Sequence, residues 1–101
     1  MIAIYSMPKD KELFDRHYFE THIPLAKTLP GLISYEVAKD GIMSTTGNED
    51  VYCIGTLHFE SLEAVKIAFA SEQGKAYAMD RKILAPHQND VQIYIFDSVE
   101  V

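Results

Sequence analysis

The chain of 101 residues holds a single cysteine, Cys53. One thiol closes no intrachain disulfide, which excludes a secreted disulfide-stapled scaffold and predicts a reducing, cytoplasmic setting. No apolar run approaches the roughly 20 residues that span a bilayer. The opening Met1-Ile2-Ala3-Ile4-Tyr5 lacks a basic leader and a small-residue cleavage site, so it reads as a strand and not a signal peptide. Positive charge is sparse: nine Lys and Arg are scattered among fifteen Asp and Glu, for a net charge of −6. Binding nucleic acid or an anionic membrane surface needs a basic stripe, so neither is an expected partner. A Gly-rich phosphate loop, a dinucleotide fingerprint and a serine-nucleophile elbow are also missing, which disfavours nucleotide-dependent and triad chemistry. No His-Glu-x-x-His or Cys-x-x-Cys spacing occurs, and neither a metal nor a cofactor is expected.

What is present is enough apolar material, 48% of residues, for one packed domain over residues 1–101. Residues 2–7 read as a first strand bounded by Pro8. Asp10 suits an N-cap, with Glu12 in the first turn, for a helix from about Lys11 to Ala26 that ends before Pro30-Gly31. Ile33, Tyr35 and Val37 alternate with Ser34, Glu36 and Ala38 in a second strand. A polar, Gly-containing segment from Asp40-Gly41 through Gly47-Asn48-Glu49-Asp50 turns the chain into a third strand, Val51 to Phe59. Ser61 caps a further helix carrying Leu62, Val65 and Phe69 at helical spacing. A break is expected near Gly74, with helix continuing to about Leu84, and Val91 to Val99 closes as the fourth strand. The order βαββαβ describes an α+β, ferredoxin-like sandwich with a four-stranded antiparallel sheet and both helices on one face. Cys53, mid-strand among apolar residues, fits a small buried hydrophobe.

The strands predict an unusual sheet. Alternation sets Val51, Cys53, Leu57 and Phe59 against Tyr52, Ile54, Thr56 and His58. It likewise sets Ile2 and Ile4 against Tyr5 and Met7, and Val91, Ile93 and Ile95 against Tyr94 and Phe96. Helices cover only one face, yet the other is not clearly polar. About eight such side chains at roughly 100 Å² each would leave near 800 Å² open, as much as one side of a standard interface. The expected partner is therefore a second copy, in a homodimeric α+β barrel closed through the open face. Loops or the tail would be the alternative cover.

The chemically informative stretch is the first helix. At roughly 100° per residue, Phe14, Tyr18, His22 and Leu25 fall within about 80° of one another and must face the sheet. A phenol and an imidazole thus stand where a structural helix would carry Leu or Ile. Buried, they need hydrogen-bond partners, and Pro24 frees carbonyls nearby. An apolar cleft ending in two polar groups suits a small ligand, while a satisfied core histidine fits the same residues. His17 falls well off the stripe. His17 and His22, about 140° apart on an unbroken helix, could not share an ion. His58 and Tyr5 could line the cleft or the second face. His87 is isolated.

The pattern Phe14-Asp15-x-x-Tyr18-x-x-x-His22-x-Pro24-Leu25, followed by Leu29-Pro30-Gly31, resembles the hallmark segment of the EthD family. That resemblance implies a small dimeric α+β barrel, associated with degradation of ethyl tert-butyl ether. Related barrels include isomerases, cofactor-independent monooxygenases and polyketide cyclases acting on small cyclic or aromatic substrates. Two positions depart from the pattern. His17 stands where many members have an aromatic residue. After Ala78-Met79-Asp80, which resembles the family's Ala-Asp pattern, Arg81-Lys82-Ile83-Leu84-Ala85-Pro86-His87 replaces the usual Asn-Phe segment.

The expected activity is cofactor-independent acid–base chemistry on a small apolar or aromatic substrate. His22 would be the base or acid and Tyr18 its orienting or oxyanion-donating partner, with Phe14, Leu25, Tyr5 and His58 lining the ligand site. A non-catalytic carrier of a hydrophobic metabolite and a structural homodimer with a filled core are the competing readings.

Overall fold

The β-prone stretches form four strands in the computed structural model, which describes residues 1–48 and 50–101. These are β1 (Ile2–Ser6), β2 (Ser34–Lys39), β3 (Val51–His58) and β4 (Val91–Tyr94). Glu49, part of the expected turn segment, lies outside the described residues. The strands pair antiparallel in the order β2-β3-β1-β4, so the two strands entered from helices flank the β1–β3 centre. This is the expected ferredoxin-like α+β architecture, with an open sheet. β4 stops five residues short of the expected Val99. Its last paired residue, Tyr94, stands opposite Ile2, the first residue of β1.

The Asp10 carboxylate accepts the Leu13 N–H at 3.0 Å and starts α1 (Lys11–His17). The backbone continues helical through a π-helical turn, Tyr18–His22, into α2 (Ile23–Ala26). There the Ile23 N–H reaches back five residues to the Tyr18 carbonyl. Pro24 explains the widened turn, because its ring would crowd the carbonyl four residues back and it offers no N–H. Pro30 and Gly31 (φ +79°) then occupy the centre of a tight turn that brings the Leu32 N–H to the Leu29 carbonyl.

Ser61 caps α3 (Leu62–Ala70) and Ser71 caps α4 (Glu72–Leu84). The break therefore falls at Ser71, whose extended backbone ends one helix and begins the next, and not at Gly74. Gly74 has a different task. A Cβ there would drive into the Ala68 carbonyl and the Phe69 backbone, so glycine lets the first turn of α4 pack directly on the end of α3.

One sheet face, carrying Ala3, Tyr5, Cys53 and Leu57, packs on the helices around two clusters. Phe14 and Tyr18 join Tyr5 and Cys53 in the first. Ala26, Leu29, Ala68 and Tyr77 join Leu57 in the second. A β-bulge alters the expected alternation: Tyr5 pairs with Cys53 but Ser6 with Val51, leaving Tyr52 as the extra residue. Tyr52 thereby turns to the helix side, where its hydroxyl donates to Asp15 at 2.9 Å and its ring meets Phe14 edge-on. Val51 takes the opposite side with Ser6.

The exchange puts Val51 on the open face in place of Tyr52, and Tyr94 is on that face opposite Ile2. Ile2, Ile4 and Ile54 occupy its centre, but Ser34, Glu36, Thr56, His58 and Gln92 share it.

Candidate functional site

The π-helical turn decides which side chains meet. Continued as an α-helix, positions 17 and 22 would diverge by about 140°. The wider turn, with its five-residue hydrogen bond, superimposes them. Both imidazoles reach the same carboxylate on α4: His17 Nε2 lies 2.9 Å from Asp80 Oδ1, and His22 Nδ1 lies 2.8 Å from Asp80 Oδ2. The expectation that His17 stands apart is thus corrected, and its cause is the turn. The same widening keeps Phe14, Tyr18, His22 and Ala26 buried at four-residue spacing. Leu25, expected on that stripe, is displaced to a half-buried position against the second cluster.

His22 has no exposed surface. Its imidazole stacks on Tyr77 at 4.4 Å between ring centroids and on Tyr18 at 5.8 Å, and its Nε2 faces the Tyr5 hydroxyl at 3.3 Å. Burial lowers its pKa below the ordinary 6.5, against the pull of Asp80, so the neutral ring is the resident form. Its tautomer follows: Nδ1–H donates to the Asp80 carboxylate and Nε2 accepts from Tyr5. Burial also raises the Tyr5 phenol far above its usual range, which keeps it a donor. Burial alone would raise Asp80 too, but hydrogen bonds from His17 and His22 hold its carboxyl below the ordinary 3.8. His17 donates Nε2–H to that carboxylate, and its Nδ1 has no hydrogen-bond partner among the described residues.

Behind this row, the hydroxyls of Tyr18 and Tyr35 meet at 2.7 Å. Gly55 makes space for them, since a Cβ there would lie 2.7 Å from the Tyr18 oxygen and 3.0 Å from that of Tyr35. Burial raises both phenols, and it pushes Tyr77 up to about 12. No buried side-chain polar atom among the described residues lacks a partner.

A cavity of about 480 Å³ opens beside this network, between the end of β1, the start of α1 and the end of α4. Its wall is mostly apolar, with Met7, Leu13, Phe14, Ile83 and Leu84 among its residues, and His17 stands on it. Of the residues expected at the site, His22, Tyr18 and Tyr5 are gathered together but lie beneath the cavity, not on its wall. Phe14 touches both. His58 is not brought in: it sits on the open face, 2.7 Å from Glu36. Asp80, Tyr35 and Tyr77 were not expected site residues. Asp80 had one available signal, its place in the Ala78-Met79-Asp80 pattern. His17 could be found only by anticipating the π-helical turn.

Cys53 is buried beside Tyr18, and burial pushes its thiol up to about 11, as befits a packing residue. Among the described residues, no group of three or more His, Cys, Asp or Glu could hold a metal ion, and no helix is long and apolar enough to cross a membrane.

Known proteins share this arrangement of chain. An EthD-family protein from Bacillus halodurans superimposes with a TM-score of 0.86 and 31% identity, over 97% of this chain and 95% of that one. A protein of Arabidopsis thaliana shares the fold at a TM-score of 0.70 and 19% identity, over 99% and 96% of the two chains. An uncharacterized 11.0 kDa protein from the thcB-thcC intergenic region of Rhodococcus erythropolis is 35% identical over 78 residues, 76% of this chain and 74% of its own. The EthD domain model matches residues 7–87, a span that runs from the wall of the cavity through the π-helical turn to the end of α4. The chain belongs to the EthD family.

Proposed function

We propose that the chain holds a small, largely apolar molecule in the cavity beside His17 and moves a proton on it, without a redox or nucleotide cofactor. One observation carries this reading: His17 stands on the cavity wall with Nε2–H fixed on Asp80, leaving Nδ1 as the available base. The Asp80 carboxylate orients the ring and offsets the positive charge it gains on taking a proton. His22 and Tyr5 hold the other end of that carboxylate, so His22 is a positioning residue. Tyr18 packs against it, and Phe14 contributes to the wall. The cavity volume and its apolar lining fit a compact aromatic or alicyclic ketone, whose α-proton is the natural substrate of a neutral base.

The test is α-proton exchange of 2-tetralone in D2O, followed by NMR. The wild-type protein should exchange it faster than buffer, and His17→Gln should lose on the order of 100-fold of that acceleration. Exchange at the buffer rate, or an unaffected His17→Gln variant, refutes the catalytic reading. Saturable binding of the ketone without exchange would favour the carrier alternative.

We also infer that the open sheet face closes on a second copy, with Ile2, Ile4, Ile54 and Thr56 on the central strands and Ser34, Glu36 and Gln92 on the flanking ones. Supporting this is an apolar strip left uncovered by any helix. Sedimentation at micromolar concentration should give twice the chain mass, and a monomer would refute it. The unpaired thiol fits a cytoplasmic home.

A further inference from the structure

We infer that residues 81–87, where the chain departs from the family pattern, make the cavity selective for an organic carboxylate. A second hollow of about 380 Å³ lies at the end of α4. Arg81, Lys82, His87 and Gln88 surround it, with Val91 and Ile93 as its apolar side, and no Asp or Glu among the described residues lines it. Ala85 and Pro86 belong to both this hollow and the larger apolar cavity, so the two are neighbours across one short piece of chain. The nearby Asp90 lies on the apolar side and is already occupied by the His87 N–H at 2.8 Å.

The concentration of donors is notable in a chain of net charge −6. Cations in the last turn of a helix complement its dipole wherever they point, and that alone would explain their presence. It would not explain why two cations from α4 and two donors from the following loop curve around the same concavity. Arg81 and Lys82 form no ion pair among the described residues. An Arg fork beside a Lys suits the two oxygens of a carboxylate. A molecule with its carboxylate on Arg81 and Lys82 can lay its apolar body across Ala85 and Pro86 toward His17. The inference rests on the cavity being a small-molecule site and names the class of molecule.

The test compares 4-phenylbutanoate with 4-phenylbutanamide, which share an apolar body and differ in charge. Titration followed by amide shifts should show the acid binding on the order of tenfold tighter at low salt. The preference should shrink as salt is added and disappear in an Arg81→Gln/Lys82→Gln variant. The affected resonances should span both hollows. Equal affinity for the two probes, or no binding of either, overturns the inference. A preference that survives the double substitution overturns it as well. The 2-tetralone experiment uses a neutral probe, so it stands or falls separately.

Discussion

Replacing Asp80 with Asn tests whether the carboxylate shared by two imidazoles holds the helices together. Asp80 is 8% exposed and accepts N–H bonds at 2.9 and 2.8 Å from His17 and His22. Asn keeps the shape but removes the charge and turns one acceptor into a donor. The amide oxygen can keep the His22 Nδ1–H bond while the amide N–H donates to His17, which changes tautomer and turns Nδ1–H to the cavity, so no buried group need be orphaned. The loss is then the difference between charge-assisted and neutral hydrogen bonds, about 1 kcal/mol for each, or about 2 kcal/mol in all. For a domain of this size that corresponds to a fall of roughly 8–16 °C in Tm. Urea unfolding followed by circular dichroism at pH 7.5, at one protein concentration, should show a lower midpoint with an unchanged slope. A variant within about 0.5 kcal/mol of wild type would refute the idea that this bridge is a principal tie between the helices.

The same network sets the response to acid. His22 is held neutral with its pKa below 6.5, so the unfolded chain takes a proton that the folded chain refuses. Its contribution is complete above pH 6.5 and declines as pH falls below it, a limb that His22→Gln should lack. Asp80, held below 3.8, adds a second loss as pH falls through its lower folded value. Gly74→Ala should cost at least about 2 kcal/mol in thermal or urea unfolding, because the methyl meets backbone that cannot swing aside. An unchanged midpoint would show that the α3–α4 junction is looser than described. Cys53 should resist a thiol-specific reagent at pH 8 in the folded protein and react at once in urea. Rapid labelling without denaturant would contradict its burial.

The order of strands and helices was legible because each element carries a local signal. Asp10 and Ser61 announce helix starts, and Ile2 to Tyr5 and Val51 to His58 alternate. The corrections arise where non-local geometry overrides spacing. Tyr52 and Val51 exchange faces because β1 and β3 slip by one residue, and nothing in either strand alone reports a bulge. The end of β4 falls opposite the first residue of its partner, which its own residues do not report. At the site, the Tyr18–His22 pair was visible as polar groups on an apolar stripe. Asp80 was visible only as part of a pattern, since its role depends on two imidazoles reaching it from another helix. His17 is placed well off the stripe by an angle that holds for α-helices and fails for this one. Pro24 was the signal present, read as freeing carbonyls and not as changing the pitch.

That pitch has a consequence for how the protein tolerates change. The π-helical turn is a phase joint: the helix before it is set to the cavity through Phe14 and His17, and the helix after it to the second core through Ala26. Its extra residue is taken up in the wider turn, so one continuous helix keeps His17 and His22 on the same side. Removing a single residue between 18 and 21 would let the segment run as an ordinary α-helix with His17 and His22 four apart, about 40° around the axis, so the two halves would stay nearly in phase. Straightening the turn at its present length would instead rotate one half against the other by about 100°, and either the imidazole would leave the cavity or Ala26 would leave the core. Substitutions along this helix can be absorbed one side chain at a time, whereas a change that straightens the turn at constant length chooses which half of the domain to lose.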